Sequence, residues 1–437
     1  MPDLLSARMQ MAVSLGFHII FACVGMVMPF LMVASHGRWL KTKEQVYYDM
    51  TRAWSKGVAI LFVTGAVSGT VLSFELGLLW PGFMEHAGAI IGMPFSLEGT
   101  AFFIEAIAIG FYLYGWDKMD PTLHWLSGWI VGIAGVASGI FVVAANSWMN
   151  APTGFDWVNN HAINIDPIKA MFNDALFSQA LHMTIAAFEA VGFAVVGIHA
   201  YFLLKEPRNV FHTKAIKIVI WFAVIAALLQ PISGDHSAKD IAHRQPIKLA
   251  AAEAVFKTQK YAPLLIGGIP DMAKEKVNDD IEIPGLLSFL AFGRFDAQAR
   301  GLDDFPRNNW PPVPVVHYAF QLMVACGMFL AAMSLVFAVR FFVKKDILFK
   351  RWFLKLLVFC TPLGFIALEA GWTVTEVGRQ PWIIYGIMKT RDALTPMPGL
   401  VFPFITITTL YIFLTVMVIL VMVRQFKAIS KKSYKQV

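Results

Sequence analysis

Residues Gln10–Ala34 read QMAVSLGFHIIFACVGMVMPFLMVA, twenty-five positions without a charge and with a single histidine, His18. About 20 apolar residues suffice for a helix to cross the hydrocarbon core of a bilayer. Eight further runs of this kind follow, at roughly 54–78, 95–115, 124–146, 175–204, 214–233, 313–343, 354–376 and 400–425. The chain of 437 residues is 57% hydrophobic and 15% charged, whereas a soluble domain carries about 25% charge. The expected fold is an all-α integral membrane protein with nine transmembrane helices.

Nine spans put the termini on opposite sides, and Lys and Arg choose between the two orientations. With the C-terminus inside, the inner loops and tail hold 21 of the 36 basic residues. The outer side holds the rest, ten of them in the long segment 234–312. Long loops translocate largely regardless of charge, so the comparison that counts is 21 against 5. The N-terminus is expected outside and the C-terminus inside. Three units follow: spans one to six over 1–233, an extracytoplasmic loop over 234–312, and spans seven to nine with a cytoplasmic tail over 313–437. Within the loop, Arg244–Lys257 reads as a helix, with Pro246 suited to a first helical position.

The net charge of +7 is explained by the inner loops and does not call for nucleic acid. The first apolar run is too long for a cleavable signal and is followed by more spans. Cys23, Cys326 and Cys360 lie in apolar runs without a CxxC spacing. Disulfides, structural zinc and covalently attached haem are therefore not expected.

The informative residues are polar groups within the spans, because ionisable side chains in a bilayer are expensive and mark function. With this topology His18, Glu98, His182, Met323 and Glu369 fall in the outer third, and Glu105 lies two turns deeper than Glu98 on nearly the same face. His with Met is an axial pair for low-spin haem iron, and a lone His leaves a sixth position open. Ordinary packing equally accounts for Met323, and an interhelical hydrogen bond for His182 or His18. Glu369 reads as an iron-ligating or proton-loading carboxylate, or as an ion-pair partner of Arg379. Glu98 and Glu105 read as a proton relay or as the ion site of a transporter. Arg379 at the membrane edge can bind a carboxylate such as a propionate. Lys248 and Glu253 read as a solvated helix face or as proton-handling groups of a quinol site.

Taken together, Gly16-Phe-His18, Leu97-Glu98-Gly-Thr100, Phe102-Phe-Ile-Glu105, Ala145-Asn-Ser-Trp-Met149, Leu181-His182, Lys248-Leu-Ala-Ala-Ala-Glu253, Met323-Val-Ala-Cys-Gly327, Glu369-Ala-Gly-Trp372 and Gly378-Arg-Gln-Pro-Trp382 resemble subunit I of the cytochrome bd-type quinol oxidases. The resemblance covers nearly the whole chain, and the 79 residues between spans six and seven match the type with a short Q-loop. It implies His182 and Met323 as ligands of a low-spin haem b. It places His18 and Glu369 at two high-spin haems, one a haem b and the other a haem d or a further haem b. Glu98 would lie at that pair, as an additional candidate for the iron. Glu105 with Ser138 would deliver protons from inside, Lys248 and Glu253 would face quinol, and Arg379 and Trp382 would flank the cofactors. One departure is Phe365, where the family carries Trp.

The implied activity is quinol oxidation outside and oxygen reduction to water, with a proton gradient made without pumping. The implied partners are a second membrane subunit and, in some assemblies, a very small third one. The implied location is the bacterial-type cytoplasmic membrane. The alternatives are an ion-coupled secondary transporter and a b-type electron-transfer subunit of a dehydrogenase.

Overall fold

The structure, a computed structural model, describes residues 2–158, 161–344 and 347–431; the end of the expected C-terminal tail, 432–437, lies outside the described residues. The first half consists of α1 (Asp3–Thr42), α2 (Gln45–Leu79), α3 (Pro81–Tyr114), α4 (Pro121–Asn150), the short α5 (Pro167–Met171), α6 (Leu176–Lys205) and α7 (Val210–Arg244). The second half holds α8 (Pro246–Ala252), α9 (Leu286–Phe292), α10 (Val313–Lys344), α11 (Arg351–Cys360), α12 (Leu363–Val377) and α13 (Val401–Lys431). Among the described residues nine helices are long and apolar enough to cross a membrane, with Arg351–Val377 counted as one.

Local chemistry explains the starts. Pro81, Pro121, Pro167 and Pro246 each open a helix, where a missing N–H is no loss and the fixed φ is already helical. Asp120, Asp166 and Asn209 cap α4, α5 and α7 by accepting two backbone N–H groups each.

Several helices outrun their apolar stretches. α3 begins at Pro81 rather than near 95, and α7 continues past 233 to Arg244. That extension is polar and is held by ion pairs one turn apart: Lys239 Nζ to Asp235 at 2.5 Å and Arg244 Nη2 to Asp240 at 2.8 Å. Such pairs support an exposed helix. The helix expected over 244–257 is shorter, because Glu253 already caps α8.

The eighth span is broken. Pro362 lacks an N–H and separates α11 from α12. The break sits where α6 approaches very closely. A Cβ on Gly364 would lie 2.5 Å from Ala190 Cα, and one on Gly192 would lie 2.9 Å from Ala223 Cα. Small residues permit this approach, and in lipid close packing is the main force between helices.

The segment between α7 and α10 forms its own apolar cluster around Ala251, Ala262, Leu287 and Leu302. It includes an antiparallel hairpin; with β1 (Asp156–Val158), β2 (His161–Ile163) and β3 (Gln259–Lys260) preceding them, its strands are β4 (Leu264–Asp271) and β5 (Lys276–Ile283). His317 of α10 pins it, with Nδ1 2.9 Å from Ala252 O and Nε2 3.3 Å from Gly267 O.

The α6–α12 approach makes a prediction. Gly364→Val drives two methyl groups into the Ala190 backbone and should destabilise by at least about 1–3 kcal/mol. Gly110→Ala, where an added Cβ meets nothing within 4 Å, should not. Thermal melts of the purified protein compare the two; equal melting temperatures would refute the tight crossing.

Candidate functional site

His18 projects from α1 toward α2, where its Nδ1 lies 2.9 Å from Ser68 Oγ. Ser68 donates its own proton to Gly65 O at 3.0 Å. Its oxygen must therefore accept from His18 Nδ1–H, which leaves Nε2 with a free lone pair. His182 of α6 repeats the device on α7. Its Nδ1 lies 3.0 Å from Ser233 Oγ, and Ser233 donates to Gln230 O at 2.9 Å. The Gln230 amide nitrogen is 3.3 Å from the freed Nε2, at the outer limit of a hydrogen bond. Fixing the tautomer through the other ring nitrogen is how a protein prepares a histidine for a metal. Both serines precede a glycine, Ser68-Gly69 and Ser233-Gly234. This shared dipeptide is the signal by which sequence reading could have found them.

Met323 lies on α10. Helices α6 and α10 do not pack on one another, yet α7 and α12 each pack against both. His182 and Met323 thus stand on opposite walls of a gap whose other walls are closed. Glu369 of α12 points at α1, where a Cβ on Gly16 would come 3.2 Å from its Oε2, and its buried Oε1 has no hydrogen-bond partner. Arg379, the partner considered for it, instead donates to Glu376 at 2.6 Å.

These residues fit haem. Each of the four candidate ligands faces a glycine: Gly69 at His18, Gly234 at His182, Gly371 at Met323 Sδ and Gly16 at Glu369. A side chain there would occupy space that a flat macrocycle needs. Among the described residues no three His, Cys, Asp or Glu side chains converge to hold a bare ion. Ligands offered singly or as one His–Met pair suit iron already held by four pyrrole nitrogens. Arg379 is 3% exposed, and its Nε and Nη1 lack partners, so two sealed donors remain for an anionic group.

Ser138 of α4 donates to Glu98 of α3 at 3.2 Å. Glu105, two turns along, is buried with Oε1 beside Gly135 and Gly25. The two carboxylates and the serine form one file. Trp382 is half-buried on β7 (Trp382–Ile384), which follows β6 (Gln298–Ala299) in the chain, and carries Lys389 over its ring at 5.2 Å.

Lys248 and Glu253 are 2% and 4% exposed, so the solvated-face reading is wrong. Lys248 Nζ donates to Asn150 Oδ1 at 2.7 Å, and Gln245 Nε2 donates to Asn150 O at 3.0 Å. Asn146, one turn back on α4, donates to Glu376. A Cβ on Gly378 would touch Lys248 Cγ at 2.9 Å. The ends of α4 and α12 and the short α8 therefore meet in one polar network. Burial, reinforced by nearby Arg379 and opposed by Glu376, lowers the Lys248 ammonium to about 7. Burial raises the Glu253 carboxyl to about 8. Sequence reading missed Glu376, Asn150 and Gln245, and it also missed two carboxylates within the bundle. Glu75 accepts from Gln10 and Ser14 at 2.8 and 2.9 Å, and Glu189 is buried with no partner for Oε1.

Comparison with known proteins bears on this geometry. Residues 6–430 match the family model described as cytochrome bd terminal oxidase subunit I. The chain belongs to that family. A Bacillus subtilis protein provisionally named cytochrome bd menaquinol oxidase subunit I is 37% identical, over 98% of this chain and 97% of its own length. The Escherichia coli cytochrome bd-II ubiquinol oxidase subunit 1 is 28% identical, over 93% and 92%. A solved structure of bd oxidase from Geobacillus thermodenitrificans superposes with a TM-score of 0.92 at 36% identity, covering 98% of both chains. A bd-type subunit I is an oxidoreductase component that works with haem, in a membrane, beside a second subunit. The transporter and dehydrogenase-subunit alternatives fall away.

The buried loop pair of this subunit I makes a prediction with two opposite arms. Glu253 titrates higher in the folded chain than its ordinary 4.5, so its contribution to stability is full below about 4.5 and is lost as pH rises toward 8. Lys248 titrates lower than its ordinary 10.5, so its contribution is full above about 10.5 and is lost as pH falls toward 7. Glu253→Gln removes the first arm alone. Between pH 5 and pH 8 the wild type should lose more thermal stability than the variant, by on the order of a few kcal/mol. Parallel melting curves at both pH values would refute the burial assignment.

Proposed function

We propose that this chain accepts electrons from quinol at the outer face of the membrane and reduces oxygen to water. A low-spin haem b lies between His182 and Met323, and two high-spin haems lie at His18 and Glu369. The observation that carries this reading is the gap between α6 and α10, with one ligand on each wall and a glycine opposite each ligand. The names of the relatives divide between menaquinol and ubiquinol; the class they share is a quinol. The haems, once bound, supply the one-electron and oxygen chemistry, and the protein supplies placement and protons.

His182 and Met323 take both axial positions, which leaves no site for oxygen and suits electron transfer. His18 and Glu369 offer one ligand each and so leave a position open; nothing in the residues distinguishes haem d from a further haem b there. Glu98 borders this pair as a further candidate for its iron. Arg379, with two unpartnered donors, holds a propionate, and Trp382 packs beside it. Glu253, tuned near 8, is placed to take the quinol hydroxyl proton and release it outside, with Lys248 holding its network together.

Protons for oxygen come from the inside through Glu105 to Glu98 and Ser138. Two turns inward of Glu105 the same face of α3 carries Tyr112, whose hydroxyl lies 3.1 Å from His36 Nδ1, so polar groups continue toward the inner end. Taking protons in on one side and releasing them on the other separates charge without a pump. This requires the N-terminus and the 234–312 loop outside, as the basic residues indicate, and places the protein in a bacterial-type cytoplasmic membrane. The second subunit, and a very small third one where present, complete the assembly.

His182→Ala and Met323→Leu should each remove or convert the low-spin signal in the reduced-minus-oxidised spectrum. Quinol-driven oxygen uptake should fall with it. An unchanged low-spin spectrum in both variants would end the pairing.

Glu105→Gln keeps shape but carries no titrating proton. Oxygen reduction should slow by about 100-fold or more, within the usual range for a lost acid–base group. Haem content and low-spin reduction by quinol should stay near normal. Full activity would remove Glu105 from the path, and loss of the high-spin haems would make it structural.

A further inference from the structure

We propose that Glu189 is the redox-linked proton carrier of the low-spin site, taking up one proton when the iron between His182 and Met323 gains one electron. The proposal rests on the ligand assignment above and extends it to a residue outside it.

Glu189 follows His182 by seven residues on α6. Seven residues are two turns, so the side chain leaves nearly the same face about 10 Å deeper. Its neighbours define that face. Ala190 packs against Gly364 of α12, and Gly192 against Ala223 of α7. Glu189 emerges between these two contacts, toward the gap between α6 and α10. On the far wall Cys326, three residues after Met323, lies within its electrostatic reach.

The side chain is 3% exposed, and Oε1 is sealed with no hydrogen-bond partner. No cation offsets it. Cys23 of α1 and Glu369 of α12 are within reach of each other. Cys360 is buried on α11. His199 and His212, at the far ends of α6 and α7, face one another with their Nδ1 atoms 2.8 Å apart. The central turns of α4 and of α7 carry no titratable side chain. A carboxylate so placed is expensive unless a positive charge stands near it.

The proposed site supplies that charge in one oxidation state only. His182 and Met323 are both neutral ligands, so ferric iron in a doubly negative macrocycle leaves one net positive charge. The carboxylate form of Glu189 balances it. When one electron arrives from quinol, the core becomes neutral and the carboxylate is left uncompensated. A proton from solvent then forms the O–H bond on Glu189, and no other bond changes. Reoxidation reverses both transfers.

The test is an equilibrium redox titration of the low-spin band in the purified oxidase between pH 6 and 8.5. In the wild type the midpoint potential should fall as pH rises, by up to about 59 mV per unit, the tenfold step for one electron. In Glu189→Gln the slope should flatten, with the potential held near the wild-type value at low pH. Equal slopes in the two proteins, or a pH-independent wild type, would overturn the proposal. If the variant loads no low-spin haem, the wild type still decides. Its redox-induced infrared difference spectrum should gain a protonated-carboxyl band as the low-spin site is reduced, and absence of that band is equally fatal. A low-spin band that survives in His182→Ala would sink the ligand assignment instead; its loss there, with equal slopes in wild type and Glu189→Gln, would sink only the role of Glu189.

Discussion

The close approach of α6 to α7 and α12 is the contact on which the rest depends. In lipid there is no hydrophobic drive to bring helices together, so stability comes from fit. Gly192, Gly197 and Gly364 let three backbones meet where any side chain would collide. Because α7 and α12 also pack on α10, they act as spacers that hold α6 and α10 apart. A cavity between two helices is ordinarily unstable, since its walls lose dispersion contacts. Here the tight crossings on either side keep it open. The break at Pro362 serves the same end, because it frees α12 to tilt independently of α11 while still pressing Gly364 onto Ala190.

That frame explains why polar side chains are tolerated at this depth. A histidine in hydrocarbon must satisfy its donor, and both His18 and His182 do so through a serine that has already spent its proton on a carbonyl one turn back. The serine is thereby converted from an ambiguous partner into an obligatory acceptor. The following glycine gives the imidazole room on the same helix. One short motif therefore orients the ring, fixes its tautomer and clears the space in front of it.

Much of this was legible in the sequence, and the limits have physical causes. Hydropathy found the nine spans because lipid forbids exposed backbone polar groups. It misplaced their ends because it senses lipid rather than helix. The polar turns 234–244 were read as loop, although Asp235–Lys239 and Asp240–Arg244 carry the four-residue spacing of helical ion pairs. The convergence of His18, His182, Met323 and Glu369 was readable from depth and motif. Glu376, Asn150 and Gln245 were not, because a polar network made between loop and helix ends has no periodicity. Lys248 and Glu253 looked like a solvated pair for the same reason: their burial is imposed by α4, α10 and α12, which lie far away in sequence.

Charge balance joins the two halves of the molecule. The loop network carries Lys248, Arg379 and Glu376 in near-contact, so two cations face one carboxylate at the outer edge of the bundle. An anionic group is the economical completion, and Arg379 keeps two donors free for one. Deeper in, the imbalance has the opposite sign: Glu189, Glu105 and Glu369 are buried carboxyl groups with no cation beside them. A bundle with unmatched cations at its rim and unmatched acids within is complete only when something positive sits below and something negative reaches up. A haem, with its cationic ferric core and its anionic propionates at one edge, has that polarity built into a single molecule.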